Sequence, residues 1–596
     1  HLILGSILAA LVVLVFLLTL RSTLIAAIAI PTSIIATFGL IWYQDFTLNS
    51  MTMLALTLAV GIVIDDAIVV LENIYRFVEE KGMSPFQAAV EATQEIGLAV
   101  MATTLSLVAI FVPVGFMGGI VGRFMKSFGL TMSFAIMVSL LVSFTLTPML
   151  AARWIKRKES NGRGSKDGRF FRPLEAAYTR LLSWSLAHRA IVAGAAVLIL
   201  LSSAPLFMVA NKNFLPNDDQ SEFEIGLRAA EGTSLEATGI VANRLAARVR
   251  QMPEVEYTLV SVSGDPARTP NLATVYVRLT PVGSRGRDQF EVMSDVRENV
   301  LPQAAAGLRT GVRPVAAIGG GGNQNAEIQF TINGPDLGKL ERFAAAVAEQ
   351  ARKQPGVVDV DTSLNVGKPE LSVHIDRLKA ADLGVEVADA AEALRLLVGG
   401  DQVTTYNEGG EQYEVHVRAM ARERATAAGI SQLTVPSSTV GSVPLENIAQ
   451  VTPGTAPSNV DRLNRQRQVT MLANVPPGGS QTEALESIEA FTASMNLEPG
   501  YRSVLTGQSK ELGRAGFYFG LAFALSFIFM YMVIAAQFES FIHPVTILLT
   551  LPMAVPFALV SALLAGQKLN IFSALGILLL FGVVKKNAIL QIDHTN

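Results

Sequence analysis

The sequence has no cysteine in its 596 residues, so it contains neither a disulfide framework nor a thiolate metal site. Histidine is scarce as well, and His374 and His416 stand alone in the long soluble segment without metal-ligand spacing. The net charge of −3 gives no reason to expect a nucleic-acid partner. These absences disfavour an enzyme, and we expect no cofactor and no bound metal.

Charged residues are also few. They make up 16% of the chain, against 50% hydrophobic residues, and the mean hydropathy is +0.41. This composition is too apolar for a soluble protein of this length and too charged for one that lies wholly in a membrane. It indicates membrane spans combined with folded extramembrane domains.

Nine apolar runs each have the roughly 20 residues that a helix needs to cross a bilayer. They lie near residues 2–20, 24–43, 51–75, 96–114, 128–152, 190–210, 515–536, 541–566 and 571–592. Segment 153–189 carries ten Lys or Arg against three acidic residues, so the positive-inside rule places it in the cytoplasm. Counting crossings from there places the soluble block, which follows the sixth run, on the external face. Within the basic segment, 173–187 is amphipathic and is expected to lie along the membrane surface.

The soluble block has the pattern of two βαββαβ units, the order of the ferredoxin-like split βαβ fold. The joints RQMPEVEY (250–257) and RKQPGVVD (352–359) indicate one helix-to-strand connection used twice. The predicted organisation is spans at 1–152, a cytoplasmic basic loop and amphipathic helix at 153–189, a span at 190–210, a first unit at 211–318, a second unit at 319–366 and 458–512, an inserted α+β subdomain at 367–457 and further spans at 513–596.

An internal repeat relates the third span to the last. A shift of 521 residues places Pro31 on Pro552, Leu48-Asn49 on Leu569-Asn570, Gly61 on Gly582 and Ala67-Ile68 on Ala588-Ile589. Several matches at one fixed offset disfavour chance similarity between two apolar helices. Six spans separate the copies, so both run in the same direction and are related by an axis along the membrane normal.

The third span carries two adjacent carboxylates, Asp65 and Asp66, in the apolar run GIVIDDAIVVLEN (61–73). A carboxylate at the bilayer centre costs roughly 2.5–3.5 kcal/mol on insertion scales. In the register of the repeat Asp65 superposes on Lys586, so the three side chains are expected to meet at one depth. Gly61 and Gly582 lie four residues earlier on the same helix faces and are expected to leave room for packing.

This trio has the properties of a proton site. A buried ammonium favours ionised carboxylates, whereas desolvation and a neighbouring carboxylate favour the protonated form. The alternative is a static ion pair that locks the helices. Two carboxylates against one lysine leave a charge uncompensated, however, and apolar residues would make a more stable lock. We therefore interpret Asp65, Asp66 and Lys586 as a proton relay.

The same residues carry a resemblance to a known family. GIVIDDAIVVLENIYR (61–76) followed by FGVVKKNAILQIDH (581–594) resembles the fourth and tenth spans of resistance-nodulation-division (RND) exporters. LTPML (146–150) and NFLPNDDQ (213–220) match other segments of that family. The Asp-Asp pair and the KNAIL run are similar to the hydrophobe/amphiphile efflux branch, which includes bacterial multidrug pumps. Lys585 has no charged counterpart in the motif, and its role is open.

The resemblance implies a polytopic α-helical membrane protein with a parallel pseudo-twofold repeat and ferredoxin-like periplasmic porter subdomains. Segment 367–457 would be the subdomain that docks periplasmic partners. The implied function is proton-driven export of amphiphilic small molecules, with Asp65 and Asp66 carrying protons and Lys586 as their switching partner. Family pumps are homotrimers of the bacterial inner membrane that work with a periplasmic adaptor protein and an outer-membrane channel.

Two other functions stay open at this point. A superfamily relative could move metal ions, lipids or protein, although scattered methionines and no cysteine in the external block disfavour metal. A non-transporting receptor with a sterol-sensing type of bundle would not need buried aspartates opposite a lysine. One departure bears on the cargo: the loop SGDPARTPN (263–271), at the position of the drug-pocket switch loop, has no aromatic residue. Because the chain opens inside a span, we expect it to run from the second to the tenth span of a longer pump.

Overall fold

The computed structural model describes residues 2–17, 20–155, 171–216, 218–265, 267–305, 307–315, 326–364 and 367–595. The α-helices are α1 (Leu2–Leu17), α2 (Leu20–Tyr43), α3 (Ser50–Glu79), α4 (Pro85–Gly115), α5 (Gly119–Trp154), α6 (Phe171–Ala187), α7 (Arg189–Val209), α8 (Leu235–Val249), α9 (Gln289–Asp295), α10 (Leu301–Ala304), α11 (Leu337–Arg352), α12 (Arg377–Asp382), α13 (Val387–Leu394), α14 (Ala421–Arg424), α15 (Ala427–Ser431), α16 (Gln481–Ser494), α17 (Gly507–Phe538), α18 (Ile542–Leu548), α19 (Thr550–Leu564) and α20 (Ile571–Thr595).

The strands are β1 (Glu222–Arg228), β2 (Val255–Val262), β3 (Leu272–Leu279), β4 (Arg309–Pro314), β5 (Ile328–Gly334), β6 (Val358–Thr362), β7 (Lys368–Ile375), β8 (Asp401–Glu408), β9 (Glu411–Val417), β10 (Thr434–Ser437), β11 (Gly441–Pro444), β12 (Ala449–Ala456), β13 (Arg462–Leu463), β14 (Gln466–Asn474) and β15 (Arg502–Leu505). The chain forms two compact units, one of His1–Asp218, Gly478–Ser487 and Leu505–Asn596, the other of Asp219–Pro477 and Ile488–Val504.

The first unit is helical. Within the described residues, eight helices are long and apolar enough to cross a membrane: α2, α3, α4, α5, α7, α17, α20 and the pair α18–α19, with α1 shorter. Each of the nine predicted runs therefore lies on a helix, although residues 18–19 of the first run are outside the described residues. The predicted amphipathic segment lies on α6, whereas the part of the basic loop at 156–170 is also outside them.

Two helix boundaries differ from the predicted runs for local reasons. Helix α4 begins eleven residues before the apolar run, at Pro85, because Ser84 caps its N-terminus and proline suits the first helical position. The predicted single run 541–566 is divided between α18 and α19. Pro552 has no N–H for the carbonyl of Leu548 and its ring crowds that turn, which explains the break between the two helices.

The start of α3 and the start of α20 are built in the same way, 521 residues apart. The Asn49 side chain accepts hydrogen bonds from the backbone N–H groups of Met51 and Thr52. The Asn570 side chain likewise accepts from Phe572 N and Ser573 N, at 2.9 and 3.1 Å. Equal capping fixes where each helix begins, so residues at equal distances from the caps lie at equal heights along their helices.

Within the first unit, residues 211–214 are bonded both to the start of α20 and to the first turn of α16. Asn213 N donates to Leu569 O at 2.9 Å, and Leu569 N donates to Asn211 O at 2.8 Å. Gln481 N donates to Asn213 Oδ1 at 3.1 Å, while Phe214 N donates to Gln481 Oε1 at 3.1 Å. The side chains of Asn213 and Gln481 are buried, and their reciprocal bonds tie the first turn of α16 to the N-terminal end of α20.

The second unit contains two sheets with the same strand order. The first sheet is ordered β2-β3-β1-β4, and the chain runs β1, α8, β2, β3, α9–α10, β4. The second has five strands: β6 and the two-residue β13 both pair with β14, which continues through β5 to β15, and the chain runs β5, α11, β6, β13, β14, α16, β15 apart from the subdomain described below. If the four main strands of each sheet (β13 left out) are numbered from one to four in chain order, their spatial order is 2-3-1-4 in both sheets. Between β6 and β14 the chain forms a subdomain in which β7 pairs with β12, β8 with β9 and β10 with β11.

Helices α4 and α5 pack with their backbones in close approach at Gly129. A Cβ at this position would lie 2.7 Å from both Gly115 N and Phe111 O, which are backbone atoms of the facing helix. We expect Gly129→Ala to destabilise the helical unit by about 1–3 kcal/mol, because the backbones must separate to admit the methyl group. The measurement is the apparent unfolding temperature of the detergent-solubilised protein.

Gly97→Ala is the matched control, since nothing lies within 4 Å of a Cβ there and alanine is the better helix former. Equal unfolding temperatures for Gly129→Ala and Gly97→Ala would contradict the close packing of α4 on α5.

Candidate functional site

The first unit brings Asp65, Asp66 and Lys586 together. Lys586 Nζ lies 2.8 Å from Asp65 Oδ2 and 2.7 Å from Asp66 Oδ1, so one ammonium binds both carboxylates. The carboxylates come from the middle of α3 and the lysine from the middle of α20. The contact predicted from the repeat is present in the structure.

The three groups are buried to different extents. Among the described residues, the side chains of Asp66 and Lys586 are 0% and 6% exposed, whereas that of Asp65 is 49% exposed. With both carboxylates ionised, the two negative charges and the one positive charge sum to −1. Uptake of one proton makes the sum zero, so this cluster can hold a proton and reach neutrality, which a buried environment favours.

Two hydroxyl groups that the sequence reasoning missed complete the surroundings of Asp66. Thr104 Oγ1 on α4 lies 3.3 Å from Asp66 Oδ2, and Ser139 Oγ on α5 lies 3.5 Å from the same oxygen. Each hydroxyl also has a backbone acceptor, Val100 O at 2.8 Å for Thr104 and Val63 O at 3.1 Å for Ser139. Hydroxyls inside apolar spans were the available signal, but these helices carry many of them and most bond only to their own backbone.

These hydroxyls suit Asp66 in both of its protonation states. A hydroxyl has one hydrogen to donate and two lone pairs to accept with. When Asp66 is ionised, Thr104 and Ser139 can turn their hydrogens towards its carboxylate. When Asp66 is protonated, it can donate to one of these oxygens while the hydroxyl hydrogen returns to the backbone carbonyl. The site therefore does not have to rebuild its walls when a proton arrives or leaves.

Lys585 is placed differently from its neighbour. Its side chain is completely buried, and its Nζ has no hydrogen-bond partner in the part of the chain that the structure describes. Consecutive residues of a helix point about 100° apart, so Lys585 cannot reach the carboxylates from the same backbone position as Lys586. The structure does not bring Lys585 into the carboxylate cluster.

The two glycines near the cluster have different surroundings. A Cβ at Gly582 would lie 2.6 Å from Leu107 Cδ2, so this glycine admits a side chain of α4. At Gly61 no described atom lies within 4 Å of such a Cβ. Close packing at Gly582 is thus against α4 and not against α3, and within the described residues Gly61 makes no close helix contact.

Comparison with known proteins identifies the family. The model of the AcrB/AcrD/AcrF family matches residues 1–596. Relatives include Multidrug resistance protein MdtC of Cronobacter sakazakii, 32% identical over 586 residues, which are 98% of this chain and 56% of that protein. The protein of the same name from Edwardsiella ictaluri is 32% identical over 582 residues, 97% of this chain and 56% of its own length.

A third relative, Multidrug resistance protein MdtC of Escherichia coli O81, is 31% identical over 588 residues, which are 98% of this chain and 57% of the relative. The chain thus spans little more than half the length of these curated relatives. The resemblance drawn from the paired spans is confirmed over the whole sequence: the chain belongs to the AcrB/AcrD/AcrF family of RND efflux proteins.

Proposed function

We propose that this protein is a secondary active transporter that exports amphiphilic small molecules in exchange for protons. The observation that carries the proposal is the single ammonium of Lys586 bound to two carboxylates in the middle of apolar helices. The names of the relatives, which are multidrug resistance proteins, support small molecules as the cargo. A catalytic role has no comparable support.

The proposed relay alternates between two charge states. With both carboxylates ionised, Lys586 is held between them by two charge-assisted hydrogen bonds. A proton on Asp65 or Asp66 removes one of these attractions and leaves a neutral carboxyl. Lys586 is then free to move toward the carboxylate that stays ionised. Because Lys586 lies on α20 and the carboxylates on α3, this displacement shifts one helix against the other.

The hydrogen bonds at the start of α20 can transmit a movement of this helix out of the membrane region. Leu569 and Asn570 precede the helix, and Leu569 is bonded to Asn211 and Asn213; the Asn213 side chain in turn accepts a hydrogen bond from Gln481 N in the first turn of α16. Movement of α20 along its axis would therefore act on α16, a helix of the second sheet unit. This bonded path supports coupling between proton uptake and α16.

The two sheets with the order 2-3-1-4 support their assignment as ferredoxin-like porter subdomains, with 367–457 as a docking subdomain between β6 and β14. The common offset of the caps of α3 and α20 supports a parallel pseudo-twofold repeat. By family relation, the protein would be a homotrimer in the bacterial inner membrane. Its sheets would face the periplasm and work with an adaptor protein and an outer-membrane channel.

We expect Asp65→Asn and Asp66→Asn, each in the full-length protein, to abolish proton-coupled export while expression and assembly stay normal. An asparagine is close in shape to aspartic acid but cannot take up and release a proton. The measurement is efflux of a fluorescent amphiphile from cells, beside immunoblots and size-exclusion profiles of the two variants. Transport at the wild-type rate in both variants would reject the relay.

Lys586→Met is expected to increase the protonated fraction of the carboxyl groups at a given pH, because two carboxylates are left together without their cation. The measurement is difference infrared spectroscopy of the carboxyl C=O band together with efflux. Lys585→Met is a matched control: it removes the adjacent lysine side chain, of the same size and in the same helix, whose Nζ makes no hydrogen bond to either carboxylate. An unchanged band in Lys586→Met, or equal changes in both variants, would refute the assignment of Lys586.

The triple variant Asp65→Asn, Asp66→Asn, Lys586→Met distinguishes a proton relay from a static ion cluster that only holds the helices together. Removing all three charges together avoids the roughly 3–5 kcal/mol loss that an unpaired buried charge causes, so the variant should be folded and at least as stable as wild type. It should nevertheless be inactive if the cluster carries protons. A stable triple variant that still performs proton-coupled efflux would show that the cluster only fastens the helices.

A further inference from the structure

We propose that the groove between α4 and α5 binds an anionic phospholipid of the inner leaflet. The groove has a volume of about 740 Å³, within the roughly 300–1,000 Å³ range of ligand pockets. Its walls are formed by the first half of α4 and the last third of α5, and it is well separated in sequence from Asp65, Asp66 and Lys586.

The lining is apolar along most of its length and charged at one end. Phe86, Val90, Leu98 and Met101 of α4 are exposed there, and Met149 faces them from α5. Fifteen residues separate Phe86 from Met101, which corresponds to about 22 Å along the helix. Such a length accommodates a headgroup followed by much of an acyl chain.

The position of the groove along the membrane normal fits a lipid better than a ligand that is wholly buried in the membrane. The first turns of α4 carry Gln87, Glu91 and Gln94, and the apolar run starts only near residue 96. The charged end of the groove therefore lies at the level of the headgroups, and its inner part enters the hydrocarbon. By the charge of the following loop, this end of α5 is on the cytoplasmic side.

The polar groups of the groove match the polar parts of a phospholipid. Arg153 is the one charged residue in the lining, and no ion pair to it occurs within the described ranges. Thr93 Oγ1 is buried in the wall and has no hydrogen-bond partner among those residues. It lies about 6 Å along α4 from Ala89, which lines the charged end of the groove, so it can donate to an ester carbonyl below the phosphate.

The positive charge of Arg153 determines which lipid headgroup the groove prefers. Neither of the two carboxylates in the first half of α4, Glu91 and Glu95, lines the groove, and Glu95 is bonded to Arg76 at 3.1 Å. A lone arginine with no acidic neighbour in the lining attracts a phosphate and disfavours a cationic amphiphile. Basic pockets between helices on the cytoplasmic side bind anionic lipid headgroups by the same electrostatics. The occupant is thus a lipid such as phosphatidylglycerol and not the transported amphiphile.

The test is native mass spectrometry of the full-length protein, purified in neutral detergent and titrated with equal amounts of phosphatidylglycerol and phosphatidylethanolamine of the same acyl chains. One basic residue near a membrane surface corresponds to a preference of about fivefold for the anionic lipid. We expect this preference in wild type, its loss in Arg153→Gln, and loss of both bound lipids in Gly97→Leu. Gly97 lines the groove and has open space at its Cβ, so leucine fills the groove without displacing backbone.

Arg189→Gln is the matched control, because Arg189 is an exposed arginine at the start of α7 and outside the groove. It should keep the wild-type preference. The proposal is overturned if Arg153→Gln keeps the preference, if Arg189→Gln loses it equally, or if a cationic dye displaces the bound lipid from wild type more readily than phosphatidylglycerol does. The comparison of the two arginine variants decides the matter even if Gly97→Leu fails to fold.

Discussion

The ion cluster of Lys586 with Asp65 and Asp66 is the constraint on which the helical unit depends. Three charges in the middle of apolar helices would each be strongly unfavourable alone. The contacts of 2.7 and 2.8 Å offset part of that cost only while the Lys586 side chain of α20 reaches the two carboxylates of α3. The same requirement makes the arrangement sensitive, because removing or adding one proton changes the balance of forces between the two helices.

The neighbouring helices hold this cluster without fixing its protonation state. Thr104 and Ser139 reach the inner carboxylate, and each hydroxyl has a backbone carbonyl as an alternative acceptor. Helices α4 and α5, which carry these two hydroxyls, pack closely on each other at Gly129. A site whose charge changes while its shape stays the same needs rigid surroundings with hydroxyl groups that can either donate or accept a hydrogen bond.

The sheet unit is held together by charged contacts of a different kind. Arg297 Nε lies 3.0 Å from Asp359 Oδ2, and Arg309 is bonded to Asp361, so residues beside β4 of the first sheet bind β6 of the second. The Arg309–Asp361 pair is partly exposed, whereas the side chains of Arg297 and Asp359 are only 14% and 9% exposed.

The sequence by itself predicted the apolar helices, the position of the carboxylates along one of them, and their partner. Length and apolar composition define a span, and the offset of 521 residues fixes the height of Lys586 against Asp65 because both helices begin at equivalent caps. The order of strands and helices in the soluble block followed from alternation and from the reused joint between helix and strand.

Tertiary structure decided which side chains face each other at that height. The rotation of α4 and α5 about their axes brings Thr104 and Ser139 to Asp66, leaves Lys585 buried without a described partner, and places Leu107 rather than α3 against Gly582. A repeat fixes register along the helices but not their rotation or the identity of their neighbours. The rotation of each helix and the identity of its neighbours depend on the simultaneous packing of many side chains, which no local pattern in the sequence specifies.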